Sequence, residues 1–369
     1  MRSTVRIGIL VCLSAAGVAA MAVAQRGAGT TRSTAANAPT EATSRIVAAA
    51  EALTALLDES ARAKVQFPFA GPQKTKWSNL PSGIFRREGL RLADLNAAQR
   101  TAVMNLLAAA LSPAGYRKVV DIMRGDEVLR RNQSTGGGRN AAPNAGRGRG
   151  GPAGPGGGVT FGEDEYYLAF LGTPSVTAPW MLQFGGHHLA INLTLAGSQA
   201  AMVPSLPAAQ PATYTFEGRT VRPLGNENDK AFALINALDD TQRRQAILGF
   251  RVADLVLGPG QDGRTIQPEG IRASALSPSQ QTMMWSIAEE WAGIMNTVFA
   301  EPRMAEIRSN LRDTYFAWSG PTTNGSPAYF RIQGPTLLIE YAPQQDSVDH
   351  IHTIYRDPTN DYGAKFVGK

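Results

Sequence analysis

The sequence predicts an α+β protein: an antiparallel sheet region flanked by helices, preceded by a helical N-terminal segment. Three observations carry this expectation. Apolar residues recur at helical spacing between residues 44 and 130. Short β-branched and aromatic runs, separated by Gly and Pro, fill 166–216 and 328–355. Helical patterning returns between those two groups of strands.

The elements follow in order. Residues 7–24 are an apolar run after Arg2 and Arg6 that ends Ala22-Val23-Ala24. A basic start, a short apolar core and a small-residue exit predict a secretory signal peptide over 1–24, cleaved near Ala24. A buried first helix and lipidation at Cys12 are the competing readings. Cleavage would leave a mature chain without cysteine, and so without disulfide, thiol nucleophile or thiolate ligand. It would place the protein in the periplasm or outside the cell. No later stretch reaches the roughly 18 apolar residues of a membrane span.

Residues 25–42, rich in Ala, Thr, Gly and Arg, read as a flexible leader. Ile46, Val47, Ala50, Leu53, Leu56 and Leu57 predict a helix over 44–64. Residues 96–111 predict a second, with Asn96 and Gln99 as a capping box, and 116–130 a third. Together 43–133 form the N-terminal helical part. In 134–158 glycine is by far the commonest residue, and Pro143, Pro152 and Pro155 stand among the glycines. Such a segment buries too little surface to offset the ordering of its backbone, and it is expected to be a disordered insertion.

Residues 159–369 are the α+β part, expected to form one compact domain with 43–133. Strands are expected over 166–171, 180–184, 189–195 and 213–216. Helices are expected over 229–249, 277–299 and 302–318, and strands again over 328–332, 336–341 and 350–355. A leucine before a capping residue recurs at Leu57-Asp58, Leu95-Asn96, Leu238-Asp239 and Leu276-Ser277. The capping residues follow one another at spacings of 38, 143 and 38. They mark helix starts, and without a uniform period they do not argue for duplication.

The formal charge of +6 would fall to +4 without Arg2 and Arg6. Arg139, Arg147 and Arg149 hold part of the excess in the Gly-rich stretch. No basic-aromatic footprint accompanies it, so no nucleic-acid partner is expected. Phosphate-binding glycine loops, H-E-x-x-H helices and G-x-S-x-G elbows are also missing from the sequence.

The chemistry concentrates in histidine. All four lie in two groups, His187-His188 and His350-x-His352. In a strand His350 and His352 face the same way. If 185–192 is extended, His187 and His188 diverge, and His188 shares the polar face with Asn192. His188 is then the inward ligand or base, and His187 orients it or packs in the core. Glu340 ends an apolar strand that can pair with the His strand. His188, His350, His352 and Glu340 therefore form a candidate site for one divalent transition metal. Zn²⁺ suits this donor set best, and Cu, Fe or Mn are the alternatives.

His188, Glu340 and Arg356 are the candidate catalytic groups, Arg356 because it falls in phase with His350 and His352. An internal Arg–Asp pair is its other reading. His187, Asn192, Trp180, Glu163 and Asp357 are candidates for supporting or substrate-binding roles. Metal-free acid–base work and a buried hydrogen-bond network remain open on these residues.

Phe170-Leu171-Gly172-Thr173-Pro174-Ser175, Pro179-Trp180 and Gln183-Phe184-Gly185-Gly186-His187-His188-Leu189 resemble the central signature of domain-of-unknown-function family 3500. So do Tyr329-Phe330-Arg331-Ile332 with Gly334-Pro335, Ile339-Glu340-Tyr341, and His350-Ile351-His352-Thr353 with Arg356-Asp357-Pro358 and Asp361-Tyr362-Gly363. The resemblance runs from about residue 45 to the C-terminus, with 134–158 as an insertion, and it points to secreted bacterial members. It implies a shared site made by the two His blocks and Glu340, and no particular reaction. The expected function is an exported, metal-dependent enzyme, a hydrolase acting on a small molecule or polymer fragment. A non-catalytic periplasmic or extracellular binding protein is the alternative, and a structural role for the histidines is a third reading. Oligomeric state is left open.

Overall fold

The computed structural model describes residues 28–135 and 158–367, with backbone alone at 28–36 and 134–135. The expected signal peptide, Cys12 and residues 136–157 of the Gly-rich stretch lie outside the described residues. The chain divides into Met1–Asn37 and Ala38–Lys369. Of the first unit only 28–37 are described, as the start of one helix.

The fold is α+β, as expected. Helix α1 (Ala28–Ala55) extends over most of the 25–42 stretch expected to be an irregular leader. Alanine, the strongest helix former, is frequent there. Ala42 and Thr43 are already buried, and Thr43 Oγ1 donates to Gly197 O at 2.7 Å. The helix expected over 44–64 breaks after Ala55 and restarts as α2 (Glu59–Val65), because the Asp58 side chain caps a new N-terminus. Then come α3 (Ala97–Ala110), with the Asn96–Gln99 capping box in place, and α4 (Pro113–Thr135).

The first sheet contains β1 (Gln66–Phe67), β2 (Leu90–Arg91), β3 (Tyr167–Leu171), β4 (Trp180–Gly186), β5 (Leu189–Ala196), β6 (Gln199–Ala201) and β7 (Leu206–Pro207). Strands β3, β4 and β5 form an antiparallel meander, and β1 joins β3 in parallel. A small hairpin, β8 (Tyr214–Phe216) with β9 (Arg219–Val221), follows. Next, α5 (Gly225–Ala237) and α6 (Asp240–Ala246) replace the single helix expected over 229–249. Asp239 caps α6 in a box with Gln242, and the chain must leave α5 to make that cap.

The second sheet has the order β10 (Ile271–Arg272), β11 (Tyr315–Ser319), β12 (Tyr329–Gly334), β13 (Leu337–Pro343), β14 (Ile351–Arg356). Helices α7 (Pro278–Ala292) and α8 (Thr297–Ser309) lie between β10 and β11. The helix expected over 302–318 therefore stops at Ser309. Residues 315–319, Tyr-Phe-Ala-Trp-Ser, alternate and pair as strand instead.

Each sheet packs one face on helices. Ile46, Leu53, Leu106 and Val119 meet Phe170, Leu182, Phe184 and Leu193 in one core. Phe232, Ile235, Ile287 and Trp291 meet Trp318, Phe330 and Ile339 in another. The opposite face of each sheet is polar, carrying Gln183 and Asn192 in the first and Arg331, Glu340, His352 and Arg356 in the second. Long loops strap these faces: residues 68–88 over the first sheet and 248–269 over the second. Among the described residues no helix is long and apolar enough to cross a membrane.

The two sheets repeat one plan. Gly89 and Gly270, Arg91 and Arg272, Asp58 and Asp239, and Asn96 and Ser277 share one numbering offset of 181. Gly89 and Gly270 both have positive φ, and a β-carbon on either would lie within 2.5 Å of a carbonyl oxygen on the next strand. Arg91 pairs with Glu165, and Arg272 with Asp313. In the meanders Ala169 pairs with Gln183 and Gln183 with Asn192, while Ala317 pairs with Arg331 and Arg331 with Glu340. For these positions the offset is 148. The change falls between α4 and β3, where the Gly-rich stretch lies. The cap spacings, which carry no uniform period in the sequence, fit this repeated plan once one insertion is allowed for.

The halves join by strand pairing. Ser205 bridges Tyr355 and Ala209 bridges Ile351 in antiparallel sense, with backbone hydrogen bonds of 2.8–2.9 Å. The histidines lie beside this seam.

Candidate metal centre

The β4–β5 hairpin closes at the Gly186–Leu189 pair, so His187-His188 are its two turn residues. His188 has φ 63°. For a residue with a β-carbon, that left-handed conformation costs on the order of 1 kcal/mol, and such positions persist where surrounding contacts over-determine them. The contacts are here. His188 N–H donates to Asn79 O (3.2 Å), and Ala208 N–H donates to His188 O (2.8 Å). The half-buried Arg87 donates to the carbonyls of Ser78 (2.8 Å), Leu80 (2.6 Å) and Gly186 (2.7 Å). It thereby ties the first strap, with Asn79 in its middle, to the His turn. Burial lowers the Arg87 pKa to about 10, which leaves it a cation at neutral pH.

Because 187–188 are a turn and not an extended pair, the two rings do not diverge. They stack, with centroids 3.6 Å apart and planes at 29°. His187 Nδ1 lies 2.6 Å from Asp126 Oδ1 on α4, and the other Asp126 oxygen accepts from Gly162 N–H (2.9 Å). Both residues are buried. His187 is thus a core histidine that also backs His188.

His352 lies on the polar face of β14, and His350 immediately precedes that strand. One ligand atom each from His188, His350 and His352 lies within 4.8 Å of the others. His350 Nε2 is 2.9 Å from His188 Nε2 and 3.1 Å from His352 Nε2. Three nitrogens on a tetrahedral Zn²⁺ at 2.0–2.1 Å would be about 3.3 Å apart, close to the two distances from His350, while His188 and His352 would have to settle at that spacing within the 4.8 Å span of the cluster. His352 Nδ1 faces Asp254 Oδ1 at 3.0 Å. Asn79 Nδ2 is 3.2 Å from His352 Nε2 and 3.3 Å from Nδ1. Near-equal distances to two nitrogens whose lone pairs diverge put this amide over the ring, not along either lone pair.

Proton count favours a cation. A carboxylate only accepts, so His352 Nδ1 carries the proton and its Nε2 presents a lone pair. His350 Nε2 can hold one proton at most, for two close nitrogen neighbours. A metal accepts all three lone pairs at once. The rings of His188 and His350 are ready for it: burial holds His188 far below the ordinary imidazole value and takes His350 down to about 3, with the neighbouring histidines adding to both shifts. Both are neutral at pH 7, as a metal ligand must be. His188 Nδ1 is buried without a partner. His188 is 1 % exposed and His352 6 %, whereas His350 is half-buried and Asp254 exposes 45 % of its side chain. The cluster is therefore closed behind and open on the His350–Asp254 side.

The other expected site residues lie apart from the three rings. Glu340 shares a face with His352, but its oxygens accept from Val256 N–H (3.0 Å), Leu257 N–H (2.8 Å) and Tyr329 Oη (2.6 Å). Its acceptor capacity is spent on the second strap and it does not converge with the histidines. Arg356 makes the internal pair, donating to Asp361 Oδ2 (2.9 and 2.6 Å) and Gln261 O (3.0 Å). Asp357 pairs with Arg303 at 3.0 Å. Asn192 bonds Gln183 and Pro204 O in the first sheet. Trp180 is core, its Nε1 donating to Ser175 O. Glu163 is exposed on the 3₁₀ turn before β3.

Asn79, Arg87, Asp126 and Asp254 were not singled out from sequence. Only Asp126 carried a signal: it continues the buried stripe Val119, Ile122, Met123 of α4, an acid where periodicity asks for an aliphatic. Asn79, Arg87 and Asp254 sit in loops, where spacing says nothing.

A family model described as protein of unknown function (DUF3500) matches residues 39–364. No curated protein and no solved structure matches the chain. The chain belongs to the DUF3500 family.

Proposed function

We propose that the protein is an exported, metal-dependent enzyme, a hydrolase, holding one divalent transition metal on His188, His350 and His352. The observation that carries this reading is the convergence of three imidazole nitrogens with one side open to solvent, the arrangement of a metal site that keeps a free position. Zn²⁺ suits three imidazoles best, with Cu, Fe or Mn as alternatives. Such an ion supplies Lewis acidity and an activated water. The chain's own part is to exclude solvent behind His188, to fix the ring of His352, and to leave the mouth between His350 and Asp254 for a small molecule or polymer fragment. Export rests on the basic, apolar and small-residue succession of 1–24, and N-terminal sequencing of the mature protein should begin at Gln25.

A binding protein without turnover is the second reading. It is favoured by one observation: both carboxylates near the rings, Asp126 and Asp254, are committed to histidines, so among the described residues no free acid stands ready as a general base.

The test is metal analysis by mass spectrometry on untagged protein purified without chelator, beside a His350→Ala/His352→Ala variant. About one equivalent of a single transition metal, lost in a still-folded variant, is the expected result. No metal in the parent, even after reconstitution, overturns the metal reading. Metal without turnover across hydrolytic screens moves the assignment to the binding protein.

A further inference from the structure

We infer that Asp254 is the positioning residue of this centre, and that Glu340, which shares the polar face of the second sheet with His352, acts by holding Asp254 in place. The inference rests on the metal reading for its functional meaning, but its geometry stands on its own.

A histidine offers a cation only the nitrogen that its other nitrogen's hydrogen bond leaves unprotonated. His352 points Nε2 at the cluster and Nδ1 at Asp254 Oδ1, 3.0 Å away. The same oxygen accepts from Leu255 N–H at 2.7 Å, which fixes the carboxylate's direction. Asp254 stands on an otherwise irregular strap, so something must hold it there. Val252 N–H donates to Ser319 Oγ (3.1 Å) on one side of Asp254. On the other side Val256 and Leu257 donate to the two oxygens of Glu340, which Tyr329 also binds. Glu340 is fully buried; Arg331, its cross-strand neighbour, attracts it electrostatically, but its hydrogen bonds come from Tyr329 and from the strap. A buried carboxylate costs several kcal/mol unless its oxygens are satisfied, and here backbone N–H groups of the strap satisfy it. Glu340 thus reaches the metal site through Asp254, not as a ligand. Among the described residues His188 has no equivalent support, its Nδ1 being without a partner.

Two measurements test this. The first is Co²⁺ titration, followed by absorbance, of the parent, Asp254→Ala, Asp254→Asn and Glu340→Gln, with circular dichroism to check folding. Removing a carboxylate that orients a ligating histidine costs roughly 10–100-fold in metal affinity. Asp254→Ala is expected to lose that much while still binding one equivalent. Asp254→Asn recovers part of the loss, because its amide oxygen can accept the Nδ1 proton. Glu340→Gln moves in the same direction as Asp254→Ala.

The second measurement is ¹⁵N NMR of histidine-labelled metal-free protein, with His352 assigned from His352→Gln. The parent should show His352 protonated at Nδ1, and Asp254→Ala should shift it toward the Nε2-protonated form, with His188 unchanged. An unchanged His352 tautomer together with Co²⁺ affinity within about twofold of the parent would overturn the inference. Failure of the parent to bind Co²⁺ would sink the metal reading instead, and the tautomer result alone would then decide the role of Asp254. If Glu340→Gln does not fold, Tyr329→Phe, which removes one of the bonds to Glu340, takes its place.

Discussion

The two meanders, β3–β5 and β11–β13, share a register, a packing face and a flanking set of caps, yet only one hairpin turn carries chemistry. The first turn is Gly186-His187-His188, and its counterpart is Gly334-Pro335-Thr336. Across the middle of the polar face the first half has a neutral chain: Gln73 donates to Gln183 (2.8 Å) and Gln183 to Asn192 (3.0 Å). The second half has charges at the same places, with Arg331 bound to Glu269 (2.7 Å) and Glu340 bound to its strap. Beneath the turn, Asp126 of the first half has Ile307 as its counterpart in the second, and each is 1 % exposed. One scaffold therefore serves a dry aliphatic contact in one copy and a carboxylate–histidine pair in the other. What differs is a handful of side chains at the turn, under it and across the sheet; the helices and registers that hold them are the same.

The sharpest way to break this contrast is His188→Gly. Glycine adopts the left-handed conformation of this position freely, so the substitution removes a ligand while relieving backbone strain. Metal affinity should fall at least about 100-fold, with metal-free stability unchanged or raised by up to ~1 kcal/mol in urea unfolding. Thr336→Ala in the counterpart turn should leave metal binding untouched. Equal loss of metal in both variants would mean that the turn, and not the imidazole, matters.

Gly89→Ala and Gly270→Ala test the shared part. Each added β-carbon collides with a strand carbonyl and sits at positive φ, so each should destabilise by about 3 kcal/mol or more. Thermal or urea unfolding should show similar losses. A loss confined to one half would break the equivalence.

Asp126→Ala should cost about 2 kcal/mol, since it leaves the buried His187 Nδ1 and the Gly162 N–H without an acceptor. Asp126→Asn should restore part of it. Ile307→Val, the matched change in the other half, should cost only about 1 kcal/mol, and neither change should abolish metal binding.

The smallest effect separates two ion pairs that occupy the same place. Arg272–Asp313 is exposed on both sides, 49 % and 57 %, so Arg272→Ala should change stability by under about 0.5 kcal/mol. Glu165 is only 6 % exposed, and Arg91→Ala strands it, so that change should cost more, about 1–2 kcal/mol.

Much of the scaffold was legible in the residues. The boxes at Asn96–Gln99, Asp239–Gln242 and Ser277–Gln280 all form as their local chemistry dictates. Strand alternation located β3, β4 and β5 of the first meander and β12 and β13 of the second. The breaks at 56–58 and 238–239 were marked by the same caps, but apolar spacing runs through them and hides the turn. Trp318 lies in a strand and not in the expected helix; a short strand that closely follows a helix shares its apolar density. The repeat was obscured because its offset changes from 181 to 148 at the Gly-rich stretch. In the candidate site, the three converging histidines were recognisable from their rarity and spacing. Their supports were not: Asn79 and Asp254 reach His352 only through loop paths, and Glu340 drew attention for its charge while its bonds go to the strap.

Ser205 meets Tyr355 and Ala209 meets Ile351, a pairing symmetric about its own midpoint, the form that an isologous contact takes between two identical subunits. Here both sides belong to one polypeptide. The association is therefore independent of protein concentration, and the two sides need not stay identical. A true twofold dimer with a histidine turn on each copy would build every feature twice. A covalently joined pair can place an acid in one copy and an isoleucine in the other, and so support a single asymmetric centre at the boundary.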